Sequence, residues 1–192
     1  MNQEILNKLK PGDIVLLGTT RFVSKAIQFF MRIQRKKQGL PAPKGLIASH
    51  AGTLVNLWDQ LYIAEAQEKG IVVSPFVSEY KNKWDKIKIL SPKKAYTVKE
   101  QELISKIAIE DSLQPHRYDF FGLWHQAKMI LTGKWTGPTG DKAERRYYCT
   151  EAVATWANKV RPNTFSKEEA AGPLDIEFNK YYQIIYDGAS IG

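Results

Sequence analysis

The chain has 192 residues, 43% hydrophobic and 25% charged, a size and balance that suit one globular domain and exclude a disordered or fibrous chain. Its 28 Lys and Arg against 20 Asp and Glu give a formal charge of +8, which fits an anionic partner such as lipid head groups or cell-wall polymer as well as a plain solvated surface; no helix-turn-helix, RNP or zinc-finger signature accompanies it, so nucleic acid is not the expected partner. One cysteine excludes an intrachain disulfide and sulfur-rich zinc sites, and without a long apolar run or a leader pattern the expected location is cytoplasmic, or envelope-associated if a leader has been removed.

Residues 2–9 suit a short helix that Pro11, Gly12 and Asp13 end, and DIVLLG (13–18) is an apolar run between turn residues, the pattern of a buried strand. RFVSKAIQFFMRIQRKK (21–37) places Phe22, Ala26, Phe29, Phe30 and Ile33 at helical spacing and ends in cations, which the negative end of a helix dipole favours. QGLPAPKG (38–45) predicts a loop. ASHAGTLVNL (48–57) and LYIAEA (61–66), separated by WDQ, predict a hairpin; GIVVSPF (70–76) and DKIKIL (85–90) predict further strands with a short helix over VSEYKNKW (77–84) between them. From Thr97 the period lengthens: Thr97 stands as N-cap with Glu100 three residues on, and Leu103, Ile104, Ile107 and Leu113 are expected to share the inward side. RYDFFGLWHQAKMIL (117–131) predicts a second helix, TGKWTGPTGDK (132–142) a loop, and CTEAVATWANKV (149–160) a third helix with Val153, Trp156, Ala157 and Val160 facing inward. YYQIIYDG (181–188) predicts a last strand. Without repeats or low-complexity linkers, the expected class is α+β in a single domain over 1–192.

Three residues stand out. Alternation puts Leu61, Ile63 and Glu65 on one strand face, so a carboxylate ends an apolar row; an unpaired buried charge costs several kcal/mol or shifts its pKa until neutral, and Glu65 therefore needs a partner or solvent. A turn at Trp58 and Asp59 pairs Gly52 with Glu65 and sets Glu65 diagonal to His50 on the same face, at about 7–8 Å between Cα atoms, whereas a slip of one residue separates them. Cys149 opens the 149–160 helix, where free N–H groups and the positive dipole end lower a thiol's pKa and offer a site for an oxyanion. Each alone has an ordinary explanation, as a small buried hydrophobe, a satisfied histidine or a strand-end charge reaching water. Together they supply the thiol, base and orienting carboxylate that nucleophilic catalysis needs. Thr150 reads as a cap or a hydrogen-bonder to substrate, Glu151 as an acid favoured in a first turn, Asp13 as a turn former and His125 as a packing or surface residue. His116 ranks below His50 as a base and precedes Tyr118, which stands where it could line a pocket or pin a helix start.

PGDIVLL, then SHAG ahead of a strand, AEA followed by GIVVSPF, YDFFG and YYCTE occur in that order between residues 11 and 151. The succession resembles the circularly permuted papain-like superfamily, related to NlpC-type cell-wall peptidases, and within it the bacterial YiiX-like branch. The resemblance implies a permuted papain-like fold, a small antiparallel sheet or partial barrel packed against helices, with the histidine strand ahead of the cysteine helix. It implies Cys149 as nucleophile, His50 as base and Glu65 as orienting carboxylate, with Tyr118, Tyr148 and Thr150 as substrate contacts and no metal or organic cofactor. The expected activity is hydrolysis of an amide or ester, or acyl transfer, through a thioester on a cell-wall peptide or a lipid-linked substrate. The basic loops at 32–45 and 132–146 are expected to shape the entrance or to meet an anionic polymer or membrane surface. The rival reading is a non-catalytic basic module for an anionic polymer or nucleic acid, with a structural cysteine. Neither reading implies an oligomeric state.

Overall fold

Apolar residues at two-residue spacing build the centre of the molecule, and longer-period segments cover it. The structure, a computed structural model, describes residues 3–18, 22–40, 47–80, 82–115, 117–137 and 146–188. In chain order the elements are α1 (Gln3–Leu6), β1 (Ile14–Leu17), α2 (Phe22–Lys37), β2 (His50–Leu57), β3 (Gln60–Gln67), β4 (Gly70–Pro75), α3 (Phe76–Tyr80), β5 (Ile87–Pro92), α4 (Val98–Ser112), β6 (Arg117–Tyr118), α5 (Phe120–Thr132), β7 (Arg146–Tyr147), α6 (Cys149–Val160), α7 (Pro173–Glu177) and β8 (Tyr182–Asp187). Six strands form one sheet in the order β4-β3-β2-β1-β5-β8, antiparallel throughout. The class is thus α+β, with an open antiparallel sheet rather than a closed barrel.

The alternation of the strands sorts the core into two layers. Ile14, Leu16, Ala51 and Leu90 face Val153, Ala154 and Ala157 of α6, and Val55, Ala64 and Ala66 meet Ala152 and Trp156 of α6 and Ile104 and Ala108 of α4. Val15, Leu17, Leu54, Ile63, Ile87 and Ile89 form the opposite face with Leu9, Phe76, Tyr80 and Tyr186. Burying large side chains on both faces supplies the main driving force for this arrangement, at about 1.5–3 kcal/mol for each fully buried Leu, Ile or Val. The β2–β3 hairpin turns on Trp58 and Asp59, both with positive φ (51° and 57°). That left-handed pair matches the strand twist and makes a two-residue connection, giving the register Leu57↔Gln60 through Thr53↔Ala64.

Two helix faces differ from expectation. In α4 the buried line is Ile104, Ser105 and Ala108, while Leu103 is exposed and Leu113, the C-cap, projects into solvent beyond the last turn. Only a narrow stripe of α4 meets the sheet, because Ala108 is small enough to let the helix lie close while Leu103 falls about 100° away around it. In α2, Met31 is buried whereas Ala26 and Phe29 are exposed. The 117–131 segment is helical only from Phe120, since Asp119 caps it by accepting from the Gly122 amide at 2.9 Å and Arg117–Tyr118 pairs with β7 instead. The loop at 38–45, the loop at 132–142 and His116 lie wholly or partly outside the described residues.

The start of α4 carries the capping box read from its sequence: the Glu100 amide donates to Thr97 Oγ1 (3.3 Å) and the Thr97 amide to Glu100 Oε2 (2.7 Å). Thr97→Ala removes one of these partners, and the expected loss is about 1 kcal/mol of unfolding free energy in urea, with no change in Cys149 reactivity.

Candidate active site

β2 begins at His50 and β3 carries Glu65, and the observed register, continued by one pair, sets Glu65 opposite Gly52 and diagonal to His50. Gly52 stands between them on the same face; a Cβ there would lie 2.7 Å from Ile63 Cδ1, so only glycine lets Ile63 pack across the hairpin. His50 Nε2 meets Glu65 Oε2 at 2.5 Å. Glu65 is 2% exposed and has two further partners: Tyr80 Oη donates to Oε2 (3.0 Å) and Gln67 Nε2 to Oε1 (3.0 Å). Burial pushes this carboxyl up, and the three partners outweigh it, holding Glu65 below the usual carboxylate range.

Cys149 is the first residue of α6 and is 2% exposed. Its sulfur is in hydrogen-bonding contact with the His50 ring, the Ala51 amide and the Tyr118 hydroxyl. Burial raises the thiol pKa, but the His50 charge and these donors outweigh it and bring it below the ordinary value. Burial likewise works against the charged form of His50, and the charges and hydrogen bonds of Cys149 and Glu65 overcome it, pushing His50 up to about 10. The directions favour the same charged forms: thiolate, imidazolium, carboxylate. Tyr118 is raised by burial and by the neighbouring sulfur, so its hydroxyl keeps its proton and donates it.

Tyr118 reaches the thiol through the short parallel pair of β6 and β7, which places it beside Tyr147 at the entry to α6. Glu151, in the first turn of α6, accepts from the Tyr148 amide (3.4 Å) and is pushed by burial up to about 8, with Asp119, Glu169 and Glu168 adding to the shift. At neutral pH the protonated form is favoured. Tyr148 and Thr150, expected to contact substrate, have partners within the protein. Both side chains are buried, and their hydroxyls donate to the Glu169 carbonyl (2.9 Å) and the Ala171 carbonyl (2.6 Å), bracing α6 against the 169–171 segment.

His125, within α5, interacts through Nδ1 with Thr136 Oγ1 (2.9 Å) in the segment that follows the helix. Asp13 accepts from the Lys10 amide (2.8 Å) and shapes its turn, with burial pushing its pKa up to about 6. Sequence reasoning missed Tyr80, Gln67 and the Ala51 amide. Gln67 lies two residues after Glu65 on the same face and was within reach of the alternation rule; Tyr80, at the end of α3, carries no local signal.

The fold and site together define an α+β protein in which a cysteine at a helix start meets a histidine–glutamate pair on an antiparallel hairpin. Among solved structures, the chain is similar to yiiX from Escherichia coli O157:H7, titled a metalloprotein and assigned to DUF1105, with a TM-score of 0.52 and 15% identity over 92% of this chain and 96% of that one. At that identity the likeness is one of fold. No family model matches the chain, and no curated protein matches it.

Proposed function

We propose that the protein is a cysteine hydrolase of the permuted papain-like, NlpC-related kind, acting on an amide or ester. The observation that carries this reading is the hydrogen-bonded chain from the Cys149 sulfur through His50 to Glu65, with the sulfur at the start of a twelve-residue helix. The thiolate attacks the substrate carbonyl carbon, and the Cys149 amide and the dipole of α6 stabilise the resulting oxyanion. Collapse breaks the bond to the amine or alcohol, which takes the proton of His50 as it leaves. Neutral His50 then takes a proton from water, whose oxygen attacks the thioester; the acid departs and Cys149 is restored as thiolate beside a protonated His50. An alcohol or amine in place of that water makes the same site an acyltransferase. Throughout, Glu65 orients the ring and stabilises its charged form.

The yiiX title names a metalloprotein, and the donor set here bears on whether a metal ion would fit. Among the described residues no group of three or more His, Cys, Asp and Glu side chains is placed to hold one. Glu65 already accepts from three donors and His50 Nε2 is committed to Glu65. The residues do not fit a metal, and no step of the proposal passes through one.

Incubation with p-nitrophenyl acetate tests the reading. Mass spectrometry is expected to find one acetyl group, removable by hydroxylamine, on the Cys149 peptide, and His50→Ala is expected to slow its formation at least about 100-fold. Acetylation that proceeds equally in Cys149→Ala or in His50→Ala overturns the proposal and leaves the basic binding module as the better account.

A further inference from the structure

α5 is apolar on both sides. Its inner side buries Gly122, Gln126, Ala127 and Ile130. Its outer side carries Phe121, Trp124, Lys128 and Leu131 at helical spacing with Phe120 alongside, and the apolar members are far from buried: Phe121 70%, Trp124 67%, Leu131 53% and Phe120 52% exposed. Single exposed hydrophobes are normal on a protein surface, whereas four large ones along one helix form a patch of the kind that meets a partner.

The charge around the patch narrows the partner. Neither α2 nor α5 contains an acidic residue, and Lys25, Arg32, Lys36 and Lys128 on these helices and Lys134 beyond them are exposed. Lys37 Nζ donates to the carbonyls of Ile130 (2.7 Å) and Leu131 (2.6 Å), tying the basic end of α2 to the last turn of α5. Cations therefore border the apolar stripe at that end, and Lys128 sits within it. A second copy of this chain seated on the stripe would set cation against cation, because a two-fold contact repeats the same patch. A hydrophilic anionic polymer would answer the lysines and leave the phenylalanines and the leucine in water. An anionic bilayer answers both: phosphates meet Lys and Arg while Phe, Trp and Leu sink to the acyl boundary.

We infer that the outer face of α5, with the basic end of α2, is a docking surface for an anionic phospholipid membrane. The helix lies in the plane of the interface, and its first turn adjoins the site: the Phe120 ring is 4.8 Å from that of Tyr118, whose hydroxyl reaches the Cys149 sulfur. Docking so oriented brings the Cys149 end of α6 near the head groups. The inference is independent of the chemistry proposed for Cys149.

Co-sedimentation with vesicles of phosphatidylcholine and phosphatidylglycerol in equal parts tests it, alongside vesicles of phosphatidylcholine alone. Binding is expected to the anionic vesicles, to weaken as added salt shortens the Debye length below about 8 Å, and to fall at least about tenfold in the double variant Phe121→Ser, Trp124→Ser. Both positions are exposed, and an unchanged melting temperature separates lost docking from lost fold. Lipids brominated in the acyl chain are expected to quench less emission in Trp124→Phe than in the parent protein, because that variant keeps an apolar ring and removes the inserted indole. Cys149→Ala is expected to bind as the parent does, so failure of docking and failure of the hydrolase reading are told apart. Absence of binding, binding that ignores lipid charge, binding that the double variant retains, or a dimer in solution that the double variant dissociates would each overturn the inference.

Discussion

Replacing His50 by alanine is expected to raise the apparent pKa of the Cys149 thiol from below the free-thiol value of about 8.5 to above it. In the parent protein the imidazolium is the largest influence that favours the thiolate, and burial is the influence it must overcome. With the ring gone, burial remains, and a 2% exposed sulfur keeps the Ala51 amide and the Tyr118 hydroxyl as donors among the described residues. Iodoacetamide alkylation followed across pH measures this directly. The parent rate is expected to level off at lower pH than a free thiol's, and the variant to be at least about tenfold slower at neutral pH and still rising above pH 9. The thiolate absorbance near 240 nm should disappear from the variant at neutral pH in step with the rate. A parent thiol that titrates like a free one would mean that the sulfur and the ring do not share a proton, and the chemistry proposed for the site would lose its nucleophile.

The second large effect belongs to Glu65. Removing one member of a buried, hydrogen-bonded charge pair leaves the other uncompensated and typically costs about 3–5 kcal/mol. Glu65→Ala strands His50 and leaves the hydroxyl of Tyr80 without its acceptor, so urea unfolding at pH 7 is expected to show a loss of that size. Glu65→Gln keeps an acceptor for Tyr80 and is expected to lose less stability while still slowing chemistry at Cys149, because a neutral amide stabilises the imidazolium less. The pH dependence follows from the shifts. Glu65 is depressed, so its contribution is complete above its unfolded value near 4.5 and is lost as pH falls through the lower folded value. His50 is raised, so its contribution is complete below its unfolded value near 6.5 and is lost as pH rises through about 10. The parent protein should therefore lose stability on both flanks, and Glu65→Ala should flatten the acid flank. An acid flank of equal steepness in the variant would mean that Glu65 carries no charge in the folded protein.

Much of this site is legible in the sequence, for reasons tied to particular residues. A turn at Trp58 and Asp59 joins two apolar runs, and that two-residue turn sets the register from Leu57↔Gln60 onward. Once register is set, period-two alternation decides that Glu65 and His50 share a face, and burial forces them to pair. The start of α6 was equally legible, because an unbroken apolar pattern from Val153 to Val160 follows Cys149. Tyr80 was not legible: it lies fifteen residues from its partner Glu65, on a different element, and helix propensity says nothing about where a hydroxyl arrives. The partners of Tyr148 and Thr150 were hidden for a related reason. Successive residues of a helix point about 100° apart, so adjacency to Cys149 in the chain does not reveal that these two hydroxyls turn to the 169–171 carbonyls.

The outer stripe of α5 marks the same boundary from the other side. Its apolar residues occupy both sides of the helix, so periodicity could not say which of them the core would take. By itself the sequence determined the α+β class, the main strands and helices, the hairpin register and the pairing of His50 with Glu65, all properties governed by local periodicity and turn geometry. Only the tertiary structure decided that the start of α6 lies against the start of β2, that Tyr80 and Gln67 hold Glu65, and that Phe121 and Trp124 stay in solvent. Those outcomes depend on how separate elements pack, and packing is settled by shape and burial across the whole molecule rather than by the spacing of residues within any one segment.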